Sequence, residues 1–398
     1  KKDGHRVDLS GETNTSWFQD FLGPASVSPR PVEVTPEDTA VLMYTGGTTG
    51  LSKGAQLSHH NILANAWQGK HWIDATDQAE RTLTALPLFH SYGMTVCMNS
   101  SIVSAGTMIL VPDPRDVKDI VKTIEKERPT MYPGVPALYN AINNYPEVEK
   151  YDLSSIRVCS SGAAPLPPEV QQQFQALTGA RLAEGYGLSE ASPVTHGNPA
   201  FGDNRIGTVG LPWPDTEVKI VDTEGGETLQ PVGQEGELCI RGPQVMLGYW
   251  RKPTETKNTL RSDDDGGGPW LYTGDIAAMD EDGYFRIIDR MKDMILGAGG
   301  YNIYPREIED VLYEHPKVLE AAAVGVPVPG KGERAKIFVV LKPDQQASPE
   351  ELLDFCRENL APYKVPSFVE FRDELPKTNV GKVLRRKLLE EEGQQEDS

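Results

Sequence analysis

Basic charge is scarce in this chain: 39 Lys and Arg stand against 58 Asp and Glu, a net charge of −19 over 398 residues. That balance argues against a nucleic-acid partner and gives no sign of peripheral docking on anionic lipid through a basic patch. Cysteine is scarce too. Cys97, Cys159, Cys239 and Cys356 lie far apart and form no CxxC pair, so they read as reduced, structural thiols of a cytoplasmic protein. Long apolar runs are missing. The longest uncharged stretch, Ser91 to Pro112, is broken by Asn99, Ser100, Ser101 and Ser104, which predicts a buried helix followed by a strand, not a membrane span. What remains, 38% hydrophobic and 24% charged residues, is the composition of a soluble globular protein with length for two or three domains.

The most informative stretch is Tyr44-Thr45-Gly46-Gly47-Thr48-Thr49-Gly50-Leu51-Ser52-Lys53-Gly54. The apolar run Ala40-Val41-Leu42-Met43 leads into it and reads as a buried strand. Glycines let a loop turn its N–H groups around an anion. Threonine hydroxyls add donors or a magnesium ligand, and Lys53 adds a point charge for phosphate. A Walker loop is excluded, because Ser52 precedes Lys53 and Gly54 follows it. A plain glycine-rich turn is the alternative, and three threonines with a lysine weigh against it.

Residues 1–38 are polar and proline-rich and read as a loop or linker. A nucleotide-binding domain opening on its phosphate loop so early suggests that N-terminal sequence is missing. From Val41 to about Glu190, short apolar runs alternate with helical patterns. Strands are expected at 83–86, 107–111, 130–132, 156–159 and 181–183, and a helix over 117–127 capped by Asp116. Such alternation predicts an α/β fold, a parallel sheet flanked by helices, with ligands at the carboxyl ends of the strands. Three motifs fall after strands: Leu86 to Gly93 with His90 and Tyr92, Ser160 to Pro165 with Gly162, Ala163 and Ala164, and Glu184 to Glu190. His90 alone reads as readily as a packed histidine, and Gly162-Ala163-Ala164 as a tight turn. Tyr186 between Gly185 and Gly187 offers an open ring face for a base. Glu190 suits Mg²⁺, a solvated glutamate being the alternative.

From about 206 to 290 the texture becomes that of an antiparallel β subdomain, ending in Tyr272-Thr273-Gly274-Asp275, where Asp275 could accept ribose hydroxyls. Asp289-Arg290-Met291-Lys292-Asp293 reads as a solvated linker and hinge. The domains expected are thus 1–290 and a small α+β unit over 291–398, whose helices include Pro305 to Tyr313 and Ser348 to Asn359, with Ser348 and Glu351 spaced as a capping box. Near the end, Gly381-Lys382 sits on a loop that can present a lysine to a partner site.

Together, Tyr44–Gly54, Tyr186–Glu190, Tyr272–Asp275, Asp289–Asp293 and Pro376–Lys382 resemble the motifs of the adenylate-forming superfamily, in its order and over about 340 residues. Pro87–Thr95, Glu184–His196 and Gly299–Glu309 look most like bacterial and archaeal long-chain-fatty-acid–CoA ligases. The resemblance implies a large α/β domain with parallel sheets and a β subdomain, a small mobile C-terminal domain, and a two-step reaction. A fatty carboxylate attacks the α-phosphate of ATP to give acyl-AMP and pyrophosphate, and coenzyme A then displaces AMP. It also implies roles. Thr45 and Glu190 would hold Mg²⁺. Gly46, Gly47, Thr48, Thr49, Gly50 and Lys53 would cradle phosphates. Gly162, Ala163, Ala164, Glu184, Gly185, Tyr186, Gly187 and Ser189 would surround the nucleotide. Asp275 and Arg290 would take the ribose, and Lys382 would serve the first step only. Rotation about Lys292 would then bring Gly299, Gly300 and Tyr301 to the pantetheine tunnel, while His90, Tyr92 and Gly185 border the acyl pocket. Ser189 replaces the family's usual threonine, and Leu296–Gly300 is one residue longer than the family's usual spacing. An enzyme handing its acyl group to a carrier protein, an aryl or medium-chain ligase, and a truncated relic without activity are the alternatives. A dimer is compatible with all of them.

Overall fold

The computed structural model describes residues 31–45, 52–263, 266–297, 301–328, 332–378 and 383–396. The chain opens with β1 (Thr39–Thr45) and β2 (Lys53–Ser58), an antiparallel pair in which Thr45 faces Lys53. Val41–Met43 does form a strand, but not a buried one. Leu42 is 37% and Tyr44 60% exposed, whereas Met43 between them is buried. Alternate residues of a strand face opposite sides, and only one side of this sheet is covered by the described residues.

Helix α1 (His59–Trp72) leaves β2 through Ser58, whose hydroxyl accepts the Asn61 N–H while the Asn61 amide returns to the Ser58 N–H. The central sheet follows: β3 (Arg81–Thr84), β4 (Thr107–Leu110), β5 (Met131–Gly134), β6 (Val158–Ser161) and β7 (Arg181–Gly187) run parallel in the order 4-3-5-6-7. The uncharged stretch before β4 is helical over Gly93–Val103 and then extended, as expected. Helices α2 (Ser100–Val103), α3 (Val117–Glu127), α4 (Pro136–Asn143) and α5 (Pro168–Thr178) connect the strands. Asp116 caps α3 by accepting the Asp119 N–H at 3.1 Å, and Ile120, Val121 and Ile124 point into the core. There Tyr132, Tyr139 and Phe174 meet edge-on and tilted at centroid distances of 4.8–6.3 Å. Strand β7 runs four residues past its expected end, so Glu184–Gly187 lies within the strand and not after it. It turns antiparallel there against β8 (Val194–Gly197), which pairs with β9 (Leu211–Pro212).

The antiparallel region is a five-stranded sheet: β10 (Glu217–Val221), β11 (Gly236–Arg241), β13 (Leu260–Ser262), β14 (Pro269–Met279) and β15 (Phe285–Arg290). β12 (Gly248–Tyr249) instead joins β2, and α6 (Pro253–Thr259) follows it. The C-terminal unit holds β16 (Ile295–Leu296), β17 (Asn302–Ile303), α7 (Pro305–Glu314), β18 (Val318–Val328), β19 (Gly332–Leu341), α8 (Pro349–Asn359), β20 (Phe368–Phe371) and α9 (Arg385–Glu396). Ser348 caps α8 through the Glu351 N–H. The segment 289–293 departs from the solvated linker expected of it at Asp289, whereas Lys292 is exposed as expected. Asp289 is 5% exposed and accepts the Arg306 N–H, because charges that find partners across a seam need no water.

Candidate active site

A cavity of about 1140 Å³ opens at the carboxyl ends of β6 and β7, and its far wall comes from β14 and β15. Core packing fixes its floor. The Tyr92 and Tyr139 hydroxyls each lie 2.8 Å from the Ser160 carbonyl, which holds the end of β6 in place. Gly162 follows, close enough to the Tyr92 ring that a Cβ would sit 3.3 Å from it, and Ala163 takes a left-handed φ of 69°. Gly187 is required by contact: a Cβ there would lie 2.3 Å from the Pro193 carbonyl oxygen.

Tyr186 is tethered across the cavity. Its hydroxyl donates to Asp275 Oδ2 at 2.5 Å, and Arg290 Nε reaches Asp275 Oδ1 at 3.1 Å. Asp275 and Arg290 are register partners on β14 and β15, so two rigid strands set this geometry. Each carboxylate oxygen keeps an acceptor site beyond the one engaged. The carboxylate of Asp275 raises the Arg290 pKa, while burial first and Asp275 second push the Tyr186 hydroxyl well up.

Glu190 lines the same cavity, and its Oε1 accepts the Tyr249 hydroxyl at 2.8 Å. Lys53 Nζ stands 4.9 Å from the Tyr249 ring centroid. The β2–β12 pairing thereby brings Lys53, Tyr249 and Glu190 together, and no sequence motif flagged Tyr249. Ser189 Oγ is 3.4 Å from Ser91 Oγ. Lys292 lines the same cavity, with its pKa lowered by burial and then by Arg290. A chain of net charge −19 thus gathers Lys53, Arg290 and Lys292 around one cavity. Glu184 is buried nearby and pushed up to about 7, chiefly by burial; its Oε1 accepts the Leu166 N–H at 3.3 Å.

His90 Nδ1 accepts the Tyr92 N–H at 3.2 Å, and burial lowers its pKa. His90 lines the cavity, as do the apolar side chains of Trp72, Val96 and Trp213. Thr378, Val383 and Leu384 close the cavity from the C-terminal unit.

The structure thus gathers Lys53, His90, Tyr92, Gly162, Ala163, Glu184, Gly185, Tyr186, Gly187, Ser189, Glu190, Asp275, Arg290 and Lys292 around one space. Tyr301 is not among them: it is 55% exposed and stacks on Tyr363 at 4.8 Å. The backbone of Thr45 stands opposite Lys53, while Ala164 belongs to the turn after β6 but does not line the cavity. Gly46, Gly47, Thr48, Thr49, Gly50, Gly299, Gly300 and Lys382 lie outside the described residues.

Comparison with known proteins agrees with this geometry. The AMP-binding enzyme family matches residues 3–250, and the AMP-binding enzyme C-terminal domain matches residues 307–382. A long-chain-fatty-acid–CoA ligase of Bacillus subtilis (strain 168) is 53% identical over 362 residues, covering 90% of this chain and 63% of that protein. Its counterpart in Escherichia coli O6:H1 is 48% identical, again over 90% and 63%. The chain therefore spans less than two thirds of the length of these curated relatives. Among solved structures, ATP-bound MatB from Rhodopseudomonas palustris matches with a TM-score of 0.86 at 34% identity, covering 94% of this chain and 72% of that one. An anthranilate CoA ligase, AuaEII, in complex with anthranoyl-AMP matches at 0.82 and 31% identity, covering 94% and 71%. On the span of these matches and on its architecture, the chain belongs to the AMP-binding enzyme family.

Proposed function

We propose that this chain carries the active site of a long-chain-fatty-acid–CoA ligase, in which a fatty carboxylate attacks the α-phosphate of ATP. Pyrophosphate leaves, and the thiol of coenzyme A then displaces AMP from the acyl-AMP, losing its proton as the thioester forms. The supporting observation is that the Tyr186–Asp275–Arg290 clamp lines a single cavity together with Glu190, Lys53 and Lys292. The first step brings two anions together. At about 4 Å two like charges repel by about 4 kcal/mol at an effective dielectric near 20. Aligned cations offset that term in the transition state. Lys53 and Lys292 line the cavity and would do so, joined by Lys382 as the resemblance to the family implies.

In this reading the Tyr186 ring walls the adenine against Gly162 and Ala163, its hydroxyl held by Asp275. The spare acceptors of Asp275 meet the ribose hydroxyls, and Thr45 to Gly50 with Lys53 receive the phosphates. The residues fit a magnesium ion carried with the nucleotide, since Mg²⁺ is bound by one or two carboxylates plus phosphates and Tyr249 orients the Glu190 carboxylate. Glu190 and the Thr45 hydroxyl would hold the ion, which would neutralise phosphate charge. Trp72, Val96 and Trp213 offer apolar cavity lining for an alkyl chain, and His90 would position the carboxylate.

The test is pyrophosphate release from ATP with acids from acetate to palmitate and with aryl acids, with and without coenzyme A. Release should need a long-chain acid, yield acyl-CoA, and fall by orders of magnitude in Lys382→Ala. A preference for aryl or short acids would overturn the substrate. Acyl-AMP that accumulates despite coenzyme A would point to a carrier protein as acceptor.

A further inference from the structure

Uncharged residues of three elements meet in the lining of the cavity. Gly69 and Trp72 come from the last turn of α1, Ser100 from the start of α2, and Trp213 from the segment after β9. The sequence Pro212-Trp213-Pro214 restricts the backbone on both sides of the indole. That backbone is also tied down. The Trp213 N–H donates to the Thr195 carbonyl at 2.9 Å, and the Pro214 carbonyl accepts the Gln68 side-chain amide of α1 at 2.6 Å.

Two glycines hold the Trp213 ring by its edges. A Cβ on Gly69 would lie 3.2 Å from Cη2 of the benzene edge and 3.8 Å from Ser100 Oγ, and a Cβ on Gly197 would lie 2.7 Å from Nε1 of the pyrrole edge. The indole thus reaches from α1 to β8, close-packed at both ends. Trp72 stands beside it with ring centroids 6.4 Å apart, fixed by its indole N–H, which donates to the Asn198 carbonyl at 3.2 Å. The Trp213 indole N–H is buried without a partner among the described residues. A buried indole N–H ordinarily finds an acceptor, so this ring is placed by shape and not by hydrogen bonding.

Strand register sets the two indoles across from the nucleotide clamp. On the β7–β8 pair, Tyr186 is opposite His196 and Gly185 is opposite Gly197. Successive residues of a strand point to opposite sides. Tyr186, whose hydroxyl holds Asp275, therefore lies on one side, and the indoles that Gly197 abuts lie on the other. Gly185 and Gly197 present only backbone, and both line the cavity together with Trp72 and Trp213.

We propose that the acyl chain runs past this glycine pair to the indoles, and that Trp213, backed by Trp72, limits the chain length the cavity accepts. The proposal rests on the fatty-acid adenylation reading above. The reaction fixes the carboxylate end, so length is read at the other end, and an indole wedged between two backbones does not yield to a longer chain.

Pyrophosphate release with laurate, palmitate and arachidate, measured on the wild type, Trp213→Phe and Trp213→Ala, tests it. The ratio of kcat/KM for arachidate to that for palmitate should rise by about tenfold or more in Trp213→Ala, the low end of what one methylene is worth in an apolar pocket. Trp213→Phe keeps a smaller ring and should fall between. Trp67, on the same helix but 42% exposed and outside the cavity lining, provides the control: Trp67→Ala should leave the ratio unchanged. Equilibrium ATP binding checks that each variant is folded, and Trp213→Phe carries the test if Trp213→Ala is not. An unchanged ratio, or an equal loss with every acid, overturns the proposal. Wild-type protein that releases no pyrophosphate with any acid sinks the adenylation reading itself. Equilibrium binding of the same acids then decides the role of Trp213: the wild type should favour palmitate over arachidate, and Trp213→Ala should narrow or reverse that preference. Equal relative affinities in the two proteins would refute it.

Discussion

The parallel sheet and the C-terminal unit are fixed by different chemistry. Between the sheet and its helices, Tyr132, Tyr139 and Phe174 are fully buried and packed ring against ring, and two tyrosine hydroxyls converge on the Ser160 carbonyl beneath the cavity. The C-terminal unit has its own core of small and branched residues, such as Ala321, Ala323, Ile337 and Val339. Its attachment to the rest of the molecule combines a small apolar contact, Tyr304 on Ile276 and Ile288, with the Asp289, Arg306 and Arg385 contacts. Apolar burial is non-directional and accumulates with area. A hydrogen bond nets about 1 kcal/mol and demands one geometry. The platform beneath the cavity is therefore held by bulk, and the C-terminal unit is attached by a small apolar contact and a few directional ones.

The largest test of that contrast is Phe174→Ala. Emptying a ring-sized site in the close-packed core should cost about 3–5 kcal/mol, read from urea unfolding. The same measurement on Arg306→Ala should show a smaller change, since its guanidinium makes one hydrogen bond, to the Ile287 carbonyl, and a longer ion pair with Asp310 at 3.7 Å. Equal losses would mean that the seam is as deeply built as the core.

Asp275→Ala comes next. It strips the partner from the Arg290 guanidinium and from the buried Tyr186 hydroxyl at once. Nucleotide affinity should fall by about a hundredfold, the scale of losing a charged hydrogen-bond partner. Equilibrium binding of ATP measures it. Affinity within threefold of wild type would remove Asp275 from the nucleotide wall.

Glu184 sharpens the comparison because it lies where the two regions meet, with Arg306 of α7 as its main favourable charge. Burial raises its pKa from 4.5 to about 7. Between those values the folded state holds the proton that the unfolded chain has released. The stabilising effect is thus full below pH 4.5 and lost as pH rises through 7, by about 3 kcal/mol at most. Glu184→Gln should flatten this slope, leaving the protein more stable than wild type at pH 8 and little changed near pH 5. Parallel urea midpoints at the two pH values decide it.

Much of this was legible in local sequence, and what was not has a common cause. The alternation of apolar runs and the Asp116 cap announce strands and helices through neighbouring residues, which is why the parallel sheet and α3 follow from them. The cavity motifs fall near strand ends, where an α/β topology brings them together. Tyr249 left no mark because its bond to Glu190 spans 59 residues and rests on the register of a two-residue strand. Asp289 looked solvated because charge density reveals nothing about partners: its own, Arg306 and Arg385, arrive from later elements. Val41–Met43 misled in the opposite direction, since an unbroken apolar run does not say how many faces are covered.

The smallest effect belongs to the C-terminal unit on its own. Ser348 caps α8 by a single hydrogen bond to the Glu351 N–H, at 3.2 Å on an exposed helix end. Ser348→Ala should cost about 1 kcal/mol. Because α8 packs Leu352 and Cys356 into the unit's own core and not into the seam, hydrogen exchange should quicken along α8 while the Arg306 amide keeps its protection. Equal loosening at both places would mean that the unit's core and its attachment are one cooperative structure. The distinction between a rigid body and its latch would then fail.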